Sequence, residues 1–174
     1  MSKRLVHSTE MSQVAFQSTG VWIEDEDIVI KKPGAKPKSV EFLSREQLVL
    51  SDVGGKVGPE IIEQKVVNGK IESLVMKRIG THDLSDAMHE LAQSDIPSII
   101  HGIVENVGLL HKLGYAHRDI KPGNIMLERD IITDRISSFA GLVDFGLAMR
   151  INRKQSESTA LAGTEPYGHP TQMS

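Results

Sequence analysis

Two polar segments in the second half of the chain carry the residues best suited to chemistry. The first is His117-Arg118-Asp119-Ile120-Lys121-Pro122-Gly123-Asn124, and the second, starting twenty-five residues after Asp119, is Asp144-Phe145-Gly146. Asp119, Asn124 and Asp144 supply carboxylate and amide oxygens, which are hard ligands of the kind hard divalent cations take. Lys121 lies two residues after Asp119. The plainer reading makes all of these solvated loop or turn residues. A preference for the chemical reading depends on which elements hold the two segments in place.

The first 80 residues read mainly as strands. Val14-Ala15-Phe16, Val21-Trp22-Ile23 and Ile28-Val29-Ile30-Lys31 are short β-prone runs, the last following the acidic turn Glu24-Asp25-Glu26-Asp27. Pro33-Gly34-Ala35-Lys36-Pro37 must be a loop. Apolar spacing predicts a helix over 39–50, stopped by Gly54-Gly55. The runs 61–67 and 71–79 flank Asn68-Gly69, a strong hairpin signal because both residues tolerate positive φ. The second half is predicted as a short helix over 84–91 and a long one over 97–113. Pro97 opens the long helix and Gly114 closes it. Short strands and loops follow. The expected fold is therefore α+β: a strand-rich unit over 1–80, a helix-rich unit over 81–174, and a cleft between them.

With those elements in place, the two polar segments resemble the catalytic loop (HRD, with Asn five residues after the Asp) and the DFG motif of eukaryotic-type protein kinases. Both motifs are matched letter for letter, in order, after a helix of suitable length. The resemblance implies a two-lobed kinase-like fold that uses ATP and Mg²⁺. It implies that Asp119 accepts the proton of the attacking hydroxyl and that Asn124 and Asp144 hold Mg²⁺ against the phosphate oxygens. Lys121 resembles the lysine that steadies the γ-phosphate in serine/threonine kinases, which leans the specificity toward Ser/Thr hydroxyls.

The same resemblance extends into the first half. Ile28-Val29-Ile30-Lys31 is similar to the VAIK strand, making Lys31 the α/β-phosphate lysine. Lys32 competes, and strand alternation favours Lys31. Glu46, fifteen residues on, resembles the helix glutamate that pairs with that lysine, with Glu41 as the alternative. Leu74 to Gly80 resembles the hinge. Met76 would be the gatekeeper, Arg78 would lie in the adenine-binding stretch 77–79, and Val14, Val29 and Met126 would sandwich the base. His117 and Phe145 would stack with Leu50 and Ile62 in an apolar column linking the lobes.

Two segments depart from the family pattern. Counting back from Lys31 makes Val14 the valine after the glycine-rich loop, so the three glycine positions fall on His7, Thr9 and Ser12. Side chains there restrict how closely the loop approaches a nucleotide. Further on, Ala162-Gly163-Thr164-Glu165-Pro166-Tyr167-Gly168-His169-Pro170 resembles the end of an activation segment but lacks the usual APE, and the sequence stops at Ser174. Residues 129–140 read as an unusually long loop before Asp144. The resemblance is therefore to a reduced kinase lacking the late helices, similar to the small kinases that bacteria inject into host cells, one group of which phosphorylates a host chaperone. It implies a folded protein substrate, recognised through 150–174. Arg118 resembles the arginine that meets a phosphorylated activation segment, here containing Ser156, Ser158 and Thr159. The alternative is a pseudokinase or kinase-like fragment that binds ATP or a partner. Arg118 and Gly146 count against a small-molecule phosphotransferase.

Composition sets outer limits. Twenty Lys plus Arg against 23 Asp plus Glu gives a net charge of −3, which argues against bulk binding to nucleic acid. The absence of cysteine excludes disulfides and thiolate metal sites. No apolar run approaches the roughly 20 residues of a membrane span, and residues 1–10 do not read as a secretory signal. A cytoplasmic location is expected, or a host cytosol for an injected effector. Oligomeric state is not legible.

Overall fold

A computed structural model describes the backbone of residues 13–16, 19–23 and 27–151, and side chains over 27–151. Strands β1 (Gln13–Phe16), β2 (Thr19–Ile23), β3 (Ile28–Pro33), β4 (Ile61–Val67) and β5 (Lys70–Lys77) form a five-stranded antiparallel sheet in the order β1-β2-β3-β5-β4. The β4–β5 turn is Asn68-Gly69, with φ of 51° and 72°, the positive pair that a two-residue hairpin requires.

Helix α1 (Ser39–Val53) crosses the sheet between β3 and β4 and runs three residues beyond the sequence expectation. Its buried residues Leu43, Glu46, Val49, Leu50 and Val53 recur at helical spacing. Burying each of the four apolar ones contributes roughly 1.5–3 kcal/mol. Gly54 ends the helix, its N–H bonding Leu50 C=O at 2.8 Å. A Cβ there would lie 2.5 Å from that same oxygen, so glycine is required.

Beyond the sheet come β6 (His82–Asp83), α2 (Leu84–Ala87), α3 (Ile96–Lys112) and β7 (Tyr115–Ala116). A 3₁₀ turn (Pro122–Asn124), β8 (Ile125–Asp130) and β9 (Arg135–Leu142) follow, then a second 3₁₀ turn (Phe145–Leu147) and β10 (Met149–Arg150). Strands β6-β8-β9 form a small sheet, and β7 pairs with β10. Helix α3 lies on β9 at close range: a Cβ on Gly102 would come within 2.8 Å of Phe139 Cβ. Gly114, at φ 86°, turns the chain out of α3 toward the catalytic-loop segment.

Three expectations are corrected. The helix foreseen over 84–91 is only Leu84–Ala87, started by Asp83, whose carboxylate accepts the Asp86 N–H at 3.1 Å. Residues 129–140 are not a loop: most belong to the β8–β9 hairpin, whose turn is held by Asp130 Oδ1 accepting the N–H groups of Ile132 and Thr133. Ile62 is 57% exposed and does not join the column beneath Phe145. A register shift between Ile61 and Glu63 bulges the strand there and turns Ile62 outward.

Candidate active site

Strand β3 lies in the middle of the five-stranded sheet, paired with β2 and β5. Alternation turns Lys31 inward and Lys32 outward: Lys31 is 5% exposed and Lys32 is exposed. Lys31 Nζ lies 2.6 Å from Glu46 Oε2 and 2.9 Å from Asp144 Oδ1. Glu46 is 2% exposed, on the buried face of α1. Its other oxygen accepts the backbone N–H of Phe145 at 3.3 Å. Glu41 is exposed and pairs with Arg45 on its own helix. Of the two lysines and two glutamates weighed from sequence, the structure brings together Lys31 and Glu46, with Asp144.

One ammonium thus serves two carboxylates. Burial opposes the Lys31 charge most strongly, but Glu46 and Asp144 outweigh it and hold the lysine pKa above its ordinary value. The shortfall of positive charge falls on Glu46, whose pKa is raised by burial, with Asp144 adding to the rise and Lys31 opposing it. At Asp144 burial also acts against the charge, but Lys31 prevails and the carboxyl is held below the usual aspartate range. Asp144 has a left-handed backbone, φ 63°, as does Arg118, φ 69°. Such conformations in non-glycine residues cost about 1–3 kcal/mol and persist where the surroundings fix them.

The catalytic-loop segment is held by its own side chains. Asn124 Nδ2 donates to Asp119 O at 2.8 Å and to Asp119 Oδ2 at 3.0 Å. Lys121 Nζ lies 3.0 Å from the same Oδ2. His117 Nδ1 accepts the Asp119 N–H at 3.3 Å, so its proton sits on Nε2, which donates to Val143 C=O at 3.0 Å. Burial lowers the His117 pKa and favours this neutral form. The His117 ring lies 4.7 Å from that of Phe145. Phe145 is wholly buried, and where Ile62 was expected it meets the Gly58 backbone: a Cβ on Gly58 would fall 2.5 Å from the ring.

One cleft gathers most of the candidate residues. Val29, Lys31, Glu46, Met76, Arg78, Asn124, Met126 and Asp144 all line it. Asp119 and Lys121 adjoin it through Asn124. The Arg78 N–H is committed to Asp27 C=O at 2.7 Å and the Lys77 N–H to Glu60 C=O at 2.9 Å, so neither serves as a donor to a bound base. Val14 lies on β1 opposite Val21. Its side chain, along with His7, Thr9, Ser12 and residues 152–174, lies outside the described residues. Asp83 and Asp86 also line the cleft and had no place in the sequence reading. Their one signal is the spacing of a helix start, Asp-x-x-Asp. Arg118 donates to the sulfur of Met149 at 3.1 Å.

The donor set suits a metal that arrives with phosphate. Among the described residues no cluster of three or more His, Cys, Asp or Glu could hold an ion alone. Asp144 and Asn124 face one cleft with oxygen ligands, and because Asn124 Nδ2 is spent on Asp119, its Oδ1 remains as the ligand atom. Mg²⁺ typically takes one or two protein oxygens and completes its shell with water and substrate phosphate. The residues present fit that pattern.

The match to known proteins agrees. The Protein kinase domain model matches residues 26–173, and the chain belongs to that family. It is 28% identical over 132 residues to the probable serine/threonine-protein kinase PknB of Bifidobacterium longum, covering 74% of this chain. It is 31% identical over 134 residues to a probable serine/threonine-protein kinase of Dictyostelium discoideum, covering 75% of this chain. It is 36% identical over 169 residues to the Citron Rho-interacting kinase of Mus musculus, covering 94% of this chain. The chain spans 17%, 21% and 8% of those three relatives' own lengths. No helix of the described residues is long and apolar enough to cross a membrane.

Proposed function

We propose that this chain is a protein serine/threonine kinase that transfers the γ-phosphoryl group of Mg²⁺-bound ATP to a hydroxyl on a folded protein. The observation that carries the reading is the buried Lys31 ammonium, held at 2.6 Å and 2.9 Å by Glu46 and Asp144 in the cleft that Asn124 also lines. Bound Mg²⁺ and ATP would supply the transferable group and neutralise its charge. The chain's own residues bind, orient and accept a proton. Glu46 keeps Lys31 extended toward the cleft, where its ammonium can meet phosphate oxygens. Asn124 and Asp144 offer the metal ligands. Asp119, fixed by Asn124 and flanked by Lys121, is the base for the hydroxyl proton. Val29, Met76 and Met126 supply the apolar walls for the base. The lobes divide near residue 80.

Recognition of a folded protein through 150–174 belongs to the same reading. Delivery of the protein into a host cell, with a host protein such as a chaperone as substrate, is a narrower form of the same reading. The test separates binding from chemistry. Asp119→Ala should bind ATP with Mg²⁺ as the wild type does and lose transfer, read as ATP titration beside label incorporation. Transfer at the wild-type rate would remove Asp119 from the mechanism.

A further inference from the structure

Helix α1 touches the segment that follows Asp144 at a second place, away from the cleft. Its last turn carries Asp52, six residues after Glu46 and so about 9 Å further along the axis. The Tyr115 hydroxyl donates to Asp52 Oδ2 at 2.5 Å. Arg150 Nη2 donates to that same oxygen at 3.0 Å, and Arg150 Nε donates to the Tyr115 hydroxyl at 3.1 Å. The guanidinium carbon also lies 5.4 Å from the centre of the Tyr115 ring. Each of the three side chains therefore contacts the other two. They come from three elements, α1, β7 and β10, and Tyr115 and Arg150 are direct cross-strand partners.

We propose that Asp52, Tyr115 and Arg150 form a positioning latch that fixes the end of α1 on the β7–β10 ribbon and thereby keeps Glu46 and Asp144 together on Lys31. A rigid helix held at one polar point can swivel about it, and two separated points set its direction. The first point is Glu46 on the Phe145 N–H, and the latch is the second. Arg150 lies six residues after Asp144, so the strand that carries the latch directly follows the DFG turn. Asp52 and Arg150 alone would be an ordinary exposed ion pair of little consequence, with side chains 49% and 75% exposed. Tyr115 changes that, because it is 4% exposed and a buried hydroxyl is costly to leave unpaired. The Tyr115 hydrogen bond, followed by that of Arg150, holds the Asp52 carboxyl below the usual aspartate range and so keeps the acceptor ionised.

The activity arm of the test rests on the kinase reading, and the exchange arm does not. Tyr115→Phe removes one oxygen and keeps the ring. Hydrogen exchange should become about tenfold faster at the amides of the last α1 turn and of β7 and β10, with α3 unchanged. Turnover should fall about fivefold while apparent ATP affinity changes less than twofold. Exchanging the charges, Asp52→Arg with Arg150→Asp, preserves the triangle and should recover most of the lost turnover, whereas either change alone should not. Unchanged exchange in Tyr115→Phe, or acceleration spread evenly over the whole chain, overturns the latch. Recovery no better in the exchanged pair than in the single changes overturns it as well. A wild-type protein that transfers no phosphate refutes the kinase reading and leaves the exchange result to decide the latch.

Discussion

Replacing Lys31 with methionine keeps the length of the side chain and removes its charge. Glu46, 2% exposed, then has no cation, and Asp144, whose side chain is 30% exposed, turns to solvent. Removing one partner of a buried pair costs about 3–5 kcal/mol when the other stays ionised. Glu46 has an escape: burial already raises its pKa with Lys31 present, and without Lys31 the rise is larger. A carboxyl whose folded pKa lies above its unfolded value adds stability at low pH and loses it as pH rises through the folded value. The variant should therefore be about 3–5 kcal/mol less stable than wild type at pH 8. On acidification it should regain up to about 1.4 kcal/mol per pH unit as Glu46 protonates, until the same glutamate protonates in the unfolded chain as well. In the wild type Asp144 adds a limb of the opposite sign, because it is held below the aspartate range and its contribution is lost as pH falls through the depressed value. Urea unfolding followed by circular dichroism at several pH values reads both slopes. Adding Glu46→Leu to Lys31→Met should abolish the pH recovery and restore most of the loss. Wild-type stability of Lys31→Met at pH 8, with no slope, would show that the triad is not electrostatically coupled.

Gly58→Ala places a Cβ 2.5 Å from the Phe145 ring, so the DFG phenylalanine must move. A loss of about 1–3 kcal/mol is expected, with a fall in transfer activity larger than in a control change at Gly108, which has open space and no positive φ. Substrate preference should show as strong labelling of a few proteins in a lysate and weak labelling of free serine peptides, since positioning would come from contacts remote from the hydroxyl. Equal labelling of peptides and many unrelated proteins would contradict a dedicated folded partner.

The legibility of this sequence varied with the range of the signal. Asn68-Gly69 and the helix punctuation at Pro97 and Gly114 are local chemistry and gave the β4–β5 hairpin and α3 nearly to the residue. Lys31 could be preferred over Lys32 because a strand alternates strictly. Glu46 could not be separated from Glu41 by pattern, because both sit on the same helix and only packing against β5 and the DFG turn decides which is buried. Ile62 and the β8–β9 hairpin were misread for one reason. Both β4 and β8 carry register shifts, at Ile61/Glu63 and at Met126/Leu127, and a bulge breaks the period-two pattern without a signature of its own. The Asp52–Tyr115–Arg150 contacts span 98 residues of chain, and no local feature announces them.

The central claim is that Asp144, with Asn124, holds the metal of a nucleotide that Lys31 and Asp119 serve. Label transfer from ATP onto serine and threonine, measured with and without Mg²⁺ in wild type and in Asp144→Ala, tests it most directly. Mg²⁺-dependent phosphoserine or phosphothreonine is expected with the wild type. None above background is expected with Asp144→Ala, whose circular dichroism spectrum should remain that of a folded protein and whose ATP binding should no longer respond to Mg²⁺. Transfer by Asp144→Ala at the wild-type rate, or wild-type transfer that is indifferent to Mg²⁺, would contradict it.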